Sequence, residues 1–287
     1  MPESRFHTAH LLLALLILVS PALASAQQRP LVTEDPETVG AGNILIEGGF
    51  DYSWDVEFPA SGYQGNLLRL PLLGLSFGVS SIAEIQIDGG LHNRLSIKGV
   101  DPTAPLYDEV TATGNTTGDV EDIVIGTKVR ILSEKMRRPA FAFRFATRLP
   151  NANNETALGL DTTDFYASII AGKTVQSIRV VGNLGLGILG DPVIGNRQND
   201  VTLYGLSFAR ALTEQAEVVG EINGWINTRN GVPPAGTGSR GIVRLGGRYT
   251  IGSWRADAAI LFGVTARDPN FGFAGGATYV FKAFNVP

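Results

Sequence analysis

Two glycine-bearing patterns and one histidine carry the residue types that could do chemistry in this 287-residue sequence. Gly185-Leu-Gly187-Ile-Leu-Gly190 has the spacing of a dinucleotide fingerprint, which works only where a strand turns into a helix whose N-terminus holds a pyrophosphate. Asp191-Pro192 and a polar loop follow instead, so these read as strand glycines that let bulky neighbours pack. Gly74-Leu-Ser76-Phe-Gly78 spells a nucleophile elbow, which needs a strand-to-helix turn and a partner histidine. Another strand pattern follows it, and His92 is the only histidine after the first 26 residues. The absence of cysteine removes thiol nucleophiles, disulfide frameworks and Cys-based zinc sites. Asp119-Val-Glu121-Asp122 and the pair Asp161 and Asp164 are acidic, but calcium needs about six to eight oxygen ligands and neither spacing matches a binding loop. They read as solvated charges where loops enter strands. No catalytic residue, metal or cofactor is expected.

Charges at alternate positions are more informative, and the same alternation defines the elements that hold them. From Ala83 to Ile97 one parity is Ala83, Ile85, Ile87, Gly89, Leu91, Asn93, Leu95 and Ile97. The other is Glu84, Gln86, Asp88, Gly90, His92, Arg94 and Ser96. Ile123, Ile125, Val129 and Ile131 likewise oppose Lys128 and Arg130, and Phe141, Phe143 and Phe145 oppose Arg144 and Arg148. A period of two is that of a strand with one apolar and one polar face. Twelve such segments are predicted: 43–54, 67–79, 82–97, 120–132, 139–149, 162–173, 178–189, 201–211, 216–228, 240–251, 254–266 and 271–284. Most reach the roughly 9–11 residues with which a tilted strand crosses a bilayer.

The connections give an independent test. Short links (Ser80-Ser81, Ser133–Arg138, Thr174–Ser177, Leu212–Gln215, Gly252-Ser253) alternate with longer ones, the longest running from Lys98 to Asp119. Outer-membrane barrels alternate in this way, with short periplasmic turns and longer outer loops. Tyr52 and Trp54 fall at a predicted outer strand end, and Tyr249, Trp254, Tyr279 and Phe281 at periplasmic ends, as interfacial girdles would. The fold expected is all-β, a transmembrane antiparallel up-and-down barrel of about 12 strands.

Energetics orient the faces. An Arg or Lys facing lipid at mid-bilayer costs about 2–4 kcal/mol, and several together exceed a domain's stability of roughly 5–15 kcal/mol. The charged parity must therefore line the lumen. That makes Glu47, Asp51, Glu84, Asp88, His92, Arg94, Lys128, Arg130, Arg144, Arg148, Glu217, Glu221, Arg244, Arg248 and Asp257 the candidate solute path. His92, between Asp88 and Arg94, reads as a hydrogen-bonded lumen residue.

Arg5 and the apolar run Leu11–Val19, followed by Ser20-Pro21 and Ala24-Ser25-Ala26, have the order of a secretory signal peptide cleaved after Ala26. Residues 27–41 are expected to be a periplasmic leader that stays in the periplasm or tucks into the barrel mouth, and its Pro30 and Pro36 exclude only a strand interior. Net charge is −4, with 23 Lys+Arg against 27 Asp+Glu, which excludes the basic footprint of nucleic-acid binding.

Leu31-Val32-Thr33-Glu34-Asp35-Pro36-Glu37-Thr38-Val39-Gly40, then Gly42 and the strand through Glu47 and Tyr52, resembles the opening of a bacterial family. It is the outer-membrane barrel family labelled MetA-pathway of phenol degradation, whose members carry the description transporter. Gly118-Asp119-Val120-Glu121-Asp122 with Gly126 and Lys128 is similar to its mid-chain pattern. So is Arg144-Phe-Ala-Thr-Arg-Leu-Pro150 leading into Gly159-Leu160-Asp161-Thr162-Thr163-Asp164. Gly276-x-x-Tyr279-x-Phe281 also resembles the terminal assembly signal of outer-membrane barrels, though the chain runs on to Pro287. The resemblance implies a barrel associated with aromatic catabolism and supplies no catalytic residues.

The leading expectation is a passive transporter for small solutes, aromatic or hydrophobic ones among them, with the loop Lys98–Asp119 long enough to fold inward and gate the lumen. Its partners would be outer-membrane lipid, the outer-membrane assembly machinery and the solute. Opposite charges in a narrow lumen can also pair across it and close it, so a plugged structural or surface-interaction barrel is the alternative. A lipid-acting barrel hydrolase built on His92 is the remote one.

Overall fold

The computed structural model describes residues Arg29–Val286, and the segment expected to be a signal peptide lies outside the described residues. Its strands are β1 (Asn43–Phe58), β2 (Tyr63–Gly78), β3 (Ala83–Gly90), β4 (Asn93–Val100), β5 (Thr116–Asp119), β6 (Ile123–Leu132) and β7 (Ala140–Leu149). The series continues with β8 (Asp164–Val175), β9 (Ile178–Gly190), β10 (Gln198–Ala211), β11 (Ala216–Asn227), β12 (Arg240–Ile251), β13 (Trp254–Gly263) and β14 (Phe271–Lys282). All pair antiparallel, and β1 pairs with both β2 and β14, which closes the sheet. β3 and β4 are two halves of one barrel strand: β3 pairs with the C-terminal half of β2 and β4 with its N-terminal half. β5 and β6 are likewise halves, pairing with β4 and β3. The barrel therefore has the 12 strands that the alternation predicts.

Apolar side chains cover the outside, with Ile85, Ile125, Phe145, Phe165, Ile169, Leu184, Leu186, Leu206, Phe208, Leu245 and Ile260 all exposed. In a protein whose solvent is hydrocarbon this is the expected inversion. Trp254 packs on Tyr279 at 4.5 Å between ring centroids, at the periplasmic strand ends. Trp54 stacks on Phe271 at 5.4 Å near the opposite rim.

The first four of the twelve barrel strands depart from plain alternation. Extra residues sit side by side in three neighbouring strands, at Leu70-Pro71, Leu91-His92 and Val120-Glu121, and another lies nearer the mouth in β1, at Trp54-Asp55. The β1–β2 register shifts between Gly49 and Asp51, opposite Leu70-Pro71, and back between Ser53 and Val56, where Asp55 takes a left-handed φ of 56°. Across β2 and its neighbour, Arg69 pairs Asn93 while Leu72 pairs Gly90. Hydrogen bonds carry the ladder through these bulges, from Leu70 N–H to His92 O (2.8 Å) and from Leu91 N–H to Pro71 O (3.0 Å). One extra residue turns every later side chain to the other face. Glu84 and Gln86 are buried in the lumen below the break, whereas above it Asn93 and Leu95 point in and His92, Arg94, Ser96 and Lys98 are exposed.

His92 and Arg94 are therefore not lumen residues, contrary to the unbroken alternation read from the sequence. Outward polar groups such as Gln64 and Lys98 are costly within hydrocarbon, which argues that this part of the wall stands clear of it. Its inner face is apolar, with Val56, Tyr63, Leu67 and Leu95 packing with Ala157 against Tyr107, Val110 and Leu158. The long loop 101–115 thus folds over the mouth, together with 150–163.

Candidate functional site

The predicted strands aim their charges into the lumen, and the chain itself fills the lower half of that space. Residues 29–41 of the expected leader take the inward of its two placements, threading up inside the barrel from the periplasmic end of β1. Leu31, Thr33, Glu34, Thr38 and Val39 are all buried. This plug has no regular structure, so its own backbone groups need partners, since a buried unpaired N–H or C=O is costly. Wall side chains supply them. Glu221 accepts the Val32 N–H on both carboxylate oxygens (2.9 and 3.0 Å) and the Thr33 N–H at 2.7 Å. Glu84 accepts the Val39 N–H at 2.6 Å, and the Arg248 guanidinium donates to the Arg29 carbonyl at 2.7 Å. The Asn183 amide, with its oxygen toward the Glu34 N–H, closes two more bonds to the Glu34 backbone at 2.8 and 3.0 Å.

The plug's side chains sort by charge. Glu34 reaches Lys128 (3.2 Å) and Arg144 (3.0 Å). Arg179 grips Asp35 through two parallel bonds of 2.9 and 2.8 Å, the fork geometry that guanidinium and carboxylate prefer. Arg130 pairs with Glu37. All four basic partners stand on β6, β7 and β9. On the opposite side Arg29 lies 3.7 Å from Asp257 and donates to the Gly275 carbonyl at 2.9 Å. Its backbone N–H approaches Glu47 at 3.5 Å. Lys128 and Glu84, 3.0 Å apart, have fully buried side chains.

The remaining predicted lumen residues pair with the wall. Asp51 meets Arg69 at 3.1 Å, and Arg148 meets Asp164 at 2.5 Å. Arg244 donates to Glu221 at 2.8 Å, while Glu217 lies 3.8 Å from Arg248. Asp88 stands 3.9 Å from Arg144 with its side chain half exposed to open lumen. Glu34, Asp35, Glu37, Arg69, Arg179, Asn183 and Trp225 were not singled out as site residues by sequence reasoning. The acidic run Thr33–Glu37 facing a basic ladder was the available signal for the first three.

Above the plug the lumen opens. Three cavities of about 520, 230 and 230 Å³ meet at Arg69. The wall of one smaller cavity mixes Leu67, Trp225, Ile242 and Leu261 with Arg69, Arg244 and Asp51, whereas the largest is rich in charge, with Glu47, Asp88, Glu121 and Arg144 beside Leu72 and Val124. The first is the composition of a small-molecule site, and the largest cavity has the volume of one, within the usual range of roughly 300–1,000 Å³. At the outer rim a further cavity of about 520 Å³ is lined by Val193, Ile194, Val232, Pro233 and Pro234, with Arg197 and Arg267. Asp191 organises that rim. Burial opposes its charge, but the N–H groups of Val193 and Ile194 and the Arg197 guanidinium hold its carboxyl below the ordinary value.

The sequence patterns with catalytic spelling are structural. Gly185–Gly190 lies inside β9, where a Cβ at Gly185 would stand 2.4 Å from the Ala167 carbonyl oxygen. Gly74–Gly78 lies inside β2. Asp119 and Asp122 accept the N–H groups of Asn153 (2.7 Å), Asn151 and Ala152 (both 2.9 Å), which ties down the loop 150–163.

Fold and lumen together define a closed 12-stranded barrel of the outer-membrane type, with an occupied lower lumen. No family model and no curated relative matches the chain. Among solved structures it is similar to the COG4313 outer membrane channel from Pseudomonas putida F1, at 12% identity and a TM-score of 0.61, over 86% of this chain and 98% of that one. The translocator domain of autotransporter NalP from Neisseria meningitidis aligns at 15% identity and a TM-score of 0.49, over 96% of each chain. The toluene transporter TodX from Pseudomonas putida aligns at 11% identity and a TM-score of 0.43, over 87% and 92%. At these identities the likeness is one of fold.

Proposed function

We propose that the chain is a passive outer-membrane channel for small solutes with an apolar body and a polar head, held shut in this conformation by its own N-terminal segment. The observation that carries this reading is the set of cavities meeting at Arg69 directly above a plug that pairs through side chains and joins no strand ladder. Such a plug can leave without unzipping the wall. The likeness to a known outer-membrane channel fold supports the location, and the resemblance to the phenol-degradation family guides the choice of aromatic solutes. Surrounding lipid and insertion by the outer-membrane assembly machinery belong to the same proposal.

The occupied lower lumen also favours a second reading, a permanently plugged structural barrel. Liposome flux separates the two. Refolded protein and its Glu34→Gln/Asp35→Asn/Glu37→Gln variant are compared for entry of phenol, benzoate and a small sugar against empty vesicles. The channel reading expects faster entry of at least one solute, more so in the variant. No entry in either form, with both folded, leaves the plugged barrel.

A further inference from the structure

We infer that the basic cluster on β6, β7 and β9 is a binding site for small carboxylates, which the chain occupies in cis with Glu34, Asp35 and Glu37. The inference rests on the channel reading and names the solute chemistry of that lumen. Each carboxylate of the plug is held as a ligand would be. Arg179 presents its planar fork to Asp35, Lys128 and Arg144 share Glu34, and Arg130 takes Glu37. Arg144 also lines the largest lumen cavity, whose wall sets Leu72, Leu73 and Val124 beside Asp88 and Glu121, so an apolar body could rest on the leucines while its carboxylate turns to the cluster. When the plug withdraws, three carboxylates leave the cluster and the wall keeps its cations. The wall's own nearby carboxylates, Glu84 and Asp88, together with Glu134 beside Arg179, do not balance all four. An incoming carboxylate restores the pairing and competes with reseating. Selectivity and opening are then one event: the solute that fits is the one that keeps the plug out.

The chain has no cysteine, so a single engineered pair reports plug position. A Cβ built at Gly205 lies 3.0 and 3.2 Å from the two branch atoms of Thr33, the reach a disulfide requires. In full-length Thr33→Cys/Gly205→Cys protein in liposomes, the rate of disulfide formation measures the seated fraction. Benzoate is the probe, with benzyl alcohol as its neutral counterpart and sodium chloride at matched ionic strength. The expected result is cross-linking roughly tenfold slower in benzoate, the slowing mass action gives when ligand holds about nine-tenths of the sites. Benzyl alcohol and chloride leave the rate unchanged.

Two added substitutions shift the half-effective benzoate concentration in opposite directions. Asp35→Asn weakens the internal competitor and lowers it, while Arg179→Gln added to Asp35→Asn, where that plug pairing is already weakened, removes a site residue and raises it. Equal slowing by chloride would reduce the cluster to simple screening and overturn the inference. So would shifts in the same direction for both variants. Phenol flux through the plug-weakened variant, with cross-linking indifferent to benzoate, keeps the channel and discards the carboxylate site. Absence of any flux discards the channel reading itself.

Discussion

Lys128 is where the plug and the wall are most tightly coupled, and Lys128→Met tests that coupling. Its ammonium bridges Glu34 at 3.2 Å and Glu84 at 3.0 Å, and its side chain is 0% exposed. Removing it leaves two carboxylates facing each other. The Gln86 amide still donates to both, at 3.1 and 2.9 Å, but carries no charge. Arg144 remains on the far oxygen of Glu34 at 3.0 Å. Stripping one partner from a buried ion pair costs about 3–5 kcal/mol. The strand wall cannot move Glu84, so the cheapest relief is withdrawal of Glu34, and the cost falls on plug seating. At about 1.4 kcal/mol per tenfold, that is roughly two to four orders of magnitude in the seating equilibrium. A Glu-specific protease added to the lipid-embedded protein reads this through release of the peptide ending at Glu37. Cleavage should accelerate in Lys128→Met until an intrinsic limit is reached. Lys128→Met/Glu84→Gln removes the charge imbalance and should recover most of the protection. Cleavage of the single variant at the wild-type rate, or of the double variant as fast as the single, would refute the reasoning.

Cysteine at Arg94 or His92 should react with a membrane-impermeant maleimide on intact cells while cysteine at Gln86 does not; the reverse pattern would restore unbroken alternation across the bulges. Glu134 sits in the turn after β6, where burial works against its charge but Lys173, the Thr174 N–H and Arg179 hold its pKa below the ordinary 4.5. Its stabilisation is therefore complete above pH 4.5 and lost as pH falls through the lower folded value. Glu134→Gln should cost about 0.5–1 kcal/mol at neutral pH, given its partly exposed position, and the gap in guanidinium unfolding should close in acid. Asp191→Asn weakens the anchor for the Val193 and Ile194 N–H groups, so hydrogen exchange at both should quicken by roughly tenfold or more, as for about 1–3 kcal/mol of lost pairing.

Strand positions were legible because hydrocarbon outside and charge inside write opposite requirements onto alternate residues. β12 falls on the segment 240–251 that the alternation gives, and the inward charges of β6, β7 and β11 to β13 point where parity puts them. Reading failed where the parity slips. His92 and Arg94 continue an even-numbered series that begins at Glu84, and nothing in the local sequence announces the extra residue at Leu91-His92. Energy gave the same wrong answer, because the cost of an outward Arg applies only within hydrocarbon and Arg94 lies beyond it. The plug was hidden for another reason. A segment whose backbone is satisfied by side chains from several strands has no period of its own, and Pro30 and Pro36 excluded a strand without indicating a lumen. Its trace was complementarity at long range, Glu34, Asp35 and Glu37 answering Lys128, Arg130, Arg144 and Arg179.

Arg29 lies at the one ladder that joins the two ends of the chain. Gly49 on β1 and Gly276 on β14 are register partners, and a Cβ on either would stand 2.2 or 2.6 Å from its guanidinium. Shifting that ladder by a two-residue slip would bring Ala274 or Thr278 opposite Gly49, each with a side chain where the arginine now rests. Of these three alignments, the native one leaves a glycine floor on both strands. The segment ahead of β1 can therefore take this seat only once the first and last strands have met, and a two-residue slip in their pairing would leave it none.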